Sequence, residues 1–358
     1  YGTFTIDANG QWSYQLDNGN QQVQALTSTD QVTDTITVST ADGATQQITI
    51  TVNGTDDQAV ISGTATGAVT EDQQLTASGQ LTASTPDAGG TVFVPITGAA
   101  GTYGSFTVDA SGHWDYQLDN SNPQVQALPK GQQVTDTITV STADGGTKQV
   151  DITITGTNDK PVITTPAQQT DGDVTEDKSA STSVTGTMAA TDVDHADTDL
   201  RWKVVTGGHG NYGNVSIDAK SGQWTYTIDN SKPATQQLAD GDVKTDTVQI
   251  GVVDPQGGYA LRTLHVTVHG TNDDPVLSVS QTNQTSGTLT QTDVDTGDTH
   301  TFSVASGTGQ FGTLTVDPDT GAYTYTPQSG VQGMTLDPKT GTYSGTDTFE
   351  VTVTDNHG

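Results

Sequence analysis

The chain has no cysteine among its 358 residues, so no disulfide can staple its fold. It has only 11 Lys and Arg against 42 Asp and Glu, a formal net charge of −31. Phosphate recognition needs basic side chains, so a nucleic-acid partner is excluded, and an anionic membrane surface would repel the chain. No apolar run approaches the roughly 18 residues of a membrane span, so membrane insertion of this segment is not expected. No signal peptide is visible, and the chain starts at Tyr1, without Met and inside a repeat, so it reads as a piece of something longer. Hydrophobic residues make up 30% and aromatics 6%, a composition that can mean disorder at this net charge. Regular alternation of apolar and polar residues argues for a folded chain instead. So many uncompensated carboxylates repel one another, and a cationic partner other than Lys or Arg is needed to offset them.

What the chain does have is repetition. YGSFTVDASGHWDYQLDN, from Tyr103 to Asn120, has close copies from Tyr1 to Asn18 and Tyr212 to Asn230, and a weaker one from Phe311 to Pro327. The recurrence is near one hundred residues, which means an array of whole domains rather than a short-repeat solenoid. Within each copy, period-two alternation on both sides of an Asp/Ser/Gly cluster predicts a strand, a turn and a strand. Trp12, Trp114, Trp224 and Tyr323 occupy one equivalent position. It reads either as a core aromatic of a sandwich or as a sugar-stacking face.

A second hairpin follows in each repeat, as in Gln31–Val52, and no helix of useful length is expected. The pattern is all-β: tandem immunoglobulin-like or cadherin-like β-sandwiches of about one hundred residues in an elongated array. The expected division is residues 1–57 as the back half of a first repeat, 58–159 and 160–274 as complete repeats, and 275–358 as a divergent, truncated one. The first, lacking a front half, should be the least stable.

Carboxylates and amides recur in register. One set lies at polar joints between repeats: Asp56 and Asp57, Asn158 and Asp159, and Asn272, Asp273 and Asp274. A second is the acid pair of V-T-E-D: Glu71 and Asp72, Glu176 and Asp177. The third is a D-x-D cluster: Asp192, Asp194 and Asp197, matched by Asp293, Asp295 and Asp298. Ca²⁺ takes six to eight oxygens from carboxylates, amide carbonyls and backbone carbonyls, and these segments supply all three. Acids of two consecutive repeats could therefore close one Ca²⁺ site at a joint, and the alternative is solvated surface acid. In the repeat at 58–159, Thr85 stands opposite Asp192 and Gly90 opposite Asp197, with only Asp87 retained. The joint near Asp56 should then bind Ca²⁺ weakly or not at all.

Other motifs carry less. His265 and His269 have the spacing of a helical zinc pair, but on a strand they would be about 13 Å apart at about 3.3 Å per residue. The Gly207–Tyr212 stretch has Tyr212 where a Ca²⁺-binding nonapeptide needs Asp, and 192–197 lacks the Gly and distal Glu of an EF-hand. There is no G-x-S-x-G or H-E-x-x-H motif and no Cys nucleophile, so no enzymatic activity is expected.

Taken together, V-T-E-D (Val69–Asp72, Val174–Asp177), T-D-V-D (Thr191–Asp194, Thr292–Asp295), Y-G-x-hydrophobic-x-hydrophobic-D (Tyr103–Asp109), W-x-Y-x-hydrophobic-D-N (Trp114–Asn120, Trp224–Asn230) and G-T-N-D (Gly156–Asp159, Gly270–Asp273) resemble the VCBS repeat family. Such repeats stand in tandem in very large bacterial surface and secreted proteins. Residues 344–358 look more cadherin-like. The resemblance implies an RTX-type adhesin exported by type I secretion, with roles in cell adhesion and biofilm, stiffened by Ca²⁺ outside the cell. Its partners would be the neighbouring repeats and a cell-surface glycan or protein engaged outside this segment. A binding module of a secreted protein, or a spacer in a secreted hydrolase, is the other reading.

Overall fold

The computed structural model describes residues 1–178, 180, 182–194, 198–205, 208–330 and 332–358. They form two compact units: residues 1–159 with 192–198, and residues 160–191 with 199–358.

In the first unit the strands are β1 (Gly2–Ile6), β2 (Trp12–Leu16), β3 (Gln31–Ser39), β4 (Thr45–Asn53), β5 (Val60–Gly63), β6 (Thr66–Thr70), β7 (Thr76–Ser84), β8 (Ile96–Ala100), β9 (Gly104–Val108), β10 (His113–Leu118), β11 (Gln133–Ser141) and β12 (Thr147–Thr155). Four-residue helices α1 (Gln21–Gln24) and α2 (Pro123–Gln126) interrupt them. One sheet runs β5-β7-β10-β9-β8 and another β11-β12-β6, with β6 parallel to β12. Inward residues of both sheets, including Leu81, Phe106, Trp114, Tyr116, Ile152 and Ile154, form one core. The predicted turn closes β9 onto β10 with Gly112 at φ +86°, a conformation glycine adopts without steric cost. Trp114 stacks on Phe106 with ring centroids 5.8 Å apart and donates from Nε1 to the Thr64 carbonyl at 2.7 Å. A Cβ at Gly79 would lie 2.6 Å from the indole, so only glycine lets β7 cross there.

Strands β1–β4 repeat the pairing of β9–β12, and Phe4 stacks on Trp12 in the same way. Among the described residues no glycine lies against Trp12 as Gly67 and Gly79 lie against Trp114, and Trp12 is 48% exposed while Trp114 is fully buried.

The second unit contains β13 (Val162–Ile163), β14 (Asp171–Thr175), β15 (Ser183–Thr187), β16 (Ala190–Thr191), β17 (Arg201–Val204), β18 (Gly213–Ile217), β19 (Gln223–Ile228), β20 (Val243–Val253), β21 (Tyr259–His269), β22 (Val276–Asn283), β23 (Ser286–Thr292), β24 (Thr301–Val304), β25 (Gly312–Val316), β26 (Ala322–Pro327), β27 (Thr335–Leu336), β28 (Tyr343–Ser344) and β29 (Val351–Thr354), with helix α3 at Pro233–Gln236. Sheets β14-β21-β20-β17 and β15-β19-β18 enclose Trp224, Tyr226, Ile250, Leu264, Val266 and Val268. The following repeat has sheets β22-β23-β26-β25 and β24-β29, with Leu289, Phe302, Phe311 and Leu314 buried. Burial of Trp114 and Trp224 makes this position a core aromatic and removes both indoles from any sugar-stacking face. Among the described residues no helix is long and apolar enough to cross a membrane.

One clamp recurs in every repeat. Tyr116 donates to Asp136 at 2.9 Å, and the same carboxylate accepts the backbone N–H groups of Thr102 and Tyr103. Tyr226 with Asp246, Tyr325 with Asp347 and Tyr14 with Asp34 do likewise. Burial, followed by the hydrogen bond to aspartate, pushes the Tyr116 and Tyr226 phenols up, so they remain neutral donors.

Candidate metal centres at the repeat joints

In the second unit the joint follows β21. Glu176, just past β14, is fully buried. Its Oε1 accepts the Thr271 N–H at 3.1 Å, and its Oε2 has no hydrogen-bond partner. Asp177 sits at φ +50°, left-handed backbone uncommon outside glycine. The Asn230 amide bonds its Oδ1 and Gln236 donates to its Oδ2 at 3.3 Å. From the other side, Asp295 Oδ2 accepts the Asp273 N–H at 2.8 Å, and Asp293 Oδ1 accepts the Asp295 N–H at 2.9 Å. Asn272 donates to Asp355 at 3.0 Å. Oxygens of Asp293, Asp298 and Asp355 lie within 4.8 Å of one another. The joint backbone therefore draws the acids of both repeats together.

The electrostatics are those of crowded acid. Burial, then the charges of Asp177, Asp273 and Asp295, pushes Glu176 up to about 7. Burial, then Asp177 and Asp295, pushes Asp273 up to about 6. Asp295 also rises, chiefly from burial. Glu176 Oε2, Asn272 Oδ1, Asp273 Oδ2, Asp295 Oδ1 and Asp298 Oδ2 are all buried without a hydrogen-bond donor. Such oxygens are costly unless something positive meets them. An all-oxygen set of carboxylates and an amide carbonyl, with no sulfur, suits a hard cation of the Ca²⁺ type.

The joint at residues 156–159 in the first unit shares this plan. Glu71 is fully buried, its Oε2 accepts the Thr157 N–H at 3.1 Å, and burial pushes it up to about 7. Here Gln126 donates to Glu71 Oε1 at 2.9 Å, so both oxygens are engaged. Asp72, at φ +57°, exchanges two hydrogen bonds with Asn120. Asp194 Oδ2 accepts the Asp159 N–H at 3.0 Å, and Asp192 Oδ1 accepts the Asp194 N–H at 3.1 Å. Asp159 Oδ2 is buried without a donor, and burial, then Asp72 and Asp192, raises its pKa. Asn158 turns its amide onto the Asp159 carbonyl at 2.7 Å. Asp197 lies outside the described residues.

The joint at residues 54–57 keeps the backbone bonds and changes the side chains. Asp87 Oδ2 accepts the Asp57 N–H at 2.8 Å, as Asp295 does for Asp273. The Thr85 hydroxyl, in place of a carboxylate, accepts the Asp87 N–H at 3.3 Å. Asp56 holds Ser28 by both oxygens at 2.7 Å, and these bonds keep its carboxyl below the usual range.

The structure adds residues that the sequence patterns left without a role: Asn120 and Asn230, which hold the left-handed Asp72 and Asp177, and Asp355. Asp355 occupies the first turn position after its strand, where Asp254 and Thr142 stand in the preceding repeats, so recurrence of the turn carried the signal. Asp274 is exposed and makes none of these contacts.

Among solved structures, the chain is similar to mouse cadherin-23 EC22-24, at 18% identity over 76% of this chain and 89% of that one, with a TM-score of 0.43. It is also similar to protocadherin gamma B7 extracellular cadherin domains 1-4, at 12% identity over 99% of this chain and 90% of that one, with a TM-score of 0.46. No curated protein matches it. The model of the bacterial cadherin-like domain matches three times, at residues 56–156, 158–270 and 271–358, and the chain belongs to that family.

Proposed function

We propose that the chain is a segment of the stalk of a bacterial surface adhesin, its joints stiffened by Ca²⁺ outside the cell. The observation that carries this reading is Glu176: a fully buried carboxylate with one oxygen lacking any donor, surrounded by three further acids that raise its pKa. In the second unit, Glu176, Asp177, Asn272, Asp273, Asp293, Asp295, Asp298 and Asp355 would hold the ion. In the first unit, Glu71, Asp72, Asn158, Asp159, Asp192 and Asp194 would do so. Bound Ca²⁺ supplies the positive charge that lets these oxygens stay buried together.

The chain's own residues do the rest. The Thr271 and Asp273 N–H groups fix the joint between two acid pairs, and Asn230 keeps Asp177 turned inward. Without the ion, repulsion among the acids loosens the joint, which suits export of an extended chain by a type I route. Repeats divided at 1–57, 58–159, 160–274 and 275–358 would be the beads, each the partner of its neighbour, with the adhesive target, a surface glycan or protein, bound elsewhere in an RTX-type protein of the VCBS kind. Residues 54–57 would be a joint with little or no use for Ca²⁺, because Thr85 replaces one acid and Asp56 is engaged by Ser28. Small-angle scattering with excess Ca²⁺ and then with EGTA tests the reading. A longer, stiffer particle with the ion is expected, and identical curves would overturn it.

A further inference from the structure

We propose that Asn283 is a glycosylation acceptor and that the sugar it carries guards the edge strand β22. The proposal uses the extracellular part of the reading above and none of its Ca²⁺ sites. The acceptor pattern Asn-x-Ser/Thr occurs at Asn53-Gly54-Thr55, Asn214-Val215-Ser216 and Asn283-Gln284-Thr285. Asn283 and Thr285 are exposed at the tip of the β22–β23 hairpin. Asn283 Oδ1 accepts the Thr285 N–H at 2.9 Å and the Thr285 hydroxyl at 3.2 Å. This Asx turn holds the hydroxyl on the amide, and Nδ2 has no partner among the described residues. The other two sites are occupied differently. Asn53 ends β4, and its Oδ1 accepts Gln31 Nε2 across the ladder at 2.7 Å. Asn214 is half-buried within β18, with Oδ1 2.6 Å from His209 Nδ1 and Nδ2 3.5 Å from Asp229 Oδ2. Among the described residues neither asparagine is bonded to the hydroxyl of its own pattern.

The strand that ends at Asn283 is exposed in its own right. Among the described residues β22 pairs on one side only, with β23, and it spans eight residues. Its counterparts at the start of the two preceding repeats, β5 and β13, have four and two. An open edge is a template for pairing with another chain, and short or charged edge strands blunt it. β22 is neither short nor charged: it reads VLSVSQTN, and Val276 and Val279 are 63% and 60% exposed. A hydrated sugar at its end would deny that edge to a second chain. The donor is a sugar linked through its anomeric carbon to a diphosphate, brought by a separate glycosyltransferase. Asn283 Nδ2 attacks that carbon and the N–C bond forms. The C–O bond to the diphosphate breaks, its electron pair leaves with the diphosphate, and the displaced N–H proton passes to a base of the transferase. An amide nitrogen is a weak nucleophile, and the two donors on Oδ1 ease loss of its proton.

The test treats the whole folded chain with an N-glycosyltransferase, in one arm with UDP-glucose and in the other with a lipid-linked sugar diphosphate, and maps the product by peptide mass spectrometry. Modification of Asn283 ahead of Asn53 and Asn214 is expected in at least one arm, and the arm that works names the donor. Thr285→Ser should keep the modification and Thr285→Val should abolish it. An unmodified Asn283 in both arms, equal occupancy of all three asparagines, or full modification of Thr285→Val would overturn the acceptor assignment. Should Thr285→Val melt lower than the parent, the order of occupancy in the unaltered chain decides. Light scattering then compares the glycosylated chain with the bare one over a range of concentrations. The bare chain is expected to associate first, and identical curves would overturn the guarding role. None of these results bears on the scattering response to Ca²⁺, so this proposal and the stalk reading fail separately.

Discussion

The joint at residues 54–57 and the joint at 270–274 share one backbone and differ in charge. Asp57 and Asp273 donate the same hydrogen bond, to Asp87 and Asp295. One step further, the acceptor is the Thr85 hydroxyl in the first and the Asp293 carboxylate in the second. The loop therefore needs an acceptor, and a neutral one suffices to shape it. A carboxylate at Asp293 is more than that loop bond requires, and its other oxygen meets His300 Nε2 at 2.8 Å. The pKa directions agree: Asp56 lies below the usual carboxylate range because Ser28 satisfies it, whereas Glu176 and Asp273 are pushed up.

Removing Ca²⁺ should separate the two joints most strongly. At about 1,000 times its dissociation constant a ligand contributes about 4 kcal/mol, and each kcal/mol moves the midpoint of a domain of this size by about 2–4 °C. EGTA is therefore expected to lower the calorimetric melting of the second unit by about 10 °C, while hydrogen exchange of residues 1–57 stays unaltered. Loss of protection there as well would break the comparison. Next in size is Glu176→Gln, which removes a buried charge and keeps the shape. It should weaken Ca²⁺ binding by about 10–100-fold yet raise the midpoint in EGTA, because the uncompensated acid is gone. A fall in both would make Glu176 a purely structural residue.

The pH dependence in EGTA should be smaller and opposite in sign at the two joints. Glu176 has its folded pKa raised from 4.5 to about 7. Its stabilising contribution is complete below its unfolded value and disappears as pH rises through about 7, so the metal-free second unit should melt higher at pH 5 than at pH 8. The lowered pKa of Asp56 works the other way: its contribution is present above the unfolded value and lost as pH falls through the folded one, and hydrogen exchange at Ser28 would report it. The smallest effect should come from Thr85→Asp, which restores one missing acid. A new, weak class of Ca²⁺ site in calorimetry would sharpen the comparison, and a strong one would mean that Gly90 and Thr142 matter less than their positions suggest.

Much of this architecture was legible residue by residue. Trp114, Tyr116 and Leu118 alternate with polar neighbours, and they line the core on β10. Asp293 and Asp295 stand out because their D-x-D recurs in register, and the joint does meet it through Asp273. Asp136 was readable but easily passed over. It shares the parity of Val134, Ile138 and Val140 on β11, and an acid on an apolar face signals a buried partner, here Tyr116. Asn120 and Asn230 were hidden for another reason. Each is bound to an aspartate 48 or 53 residues away, and no local periodicity encodes a contact across that separation. Asp355 reads as an ordinary turn residue until its carboxylate is seen beside Asp293 and Asp298.

The tyrosine–aspartate clamp has a mechanical consequence. It needs no ion, so in the proposed stalk each bead would keep its own latch while the couplings between beads slackened. In the proposed stalk, tension without calcium would first draw out the slack at the couplings, and only a much larger pull would rupture a bead. Such a tether would yield softly before it broke, and would recover its stiffness once the ion returned.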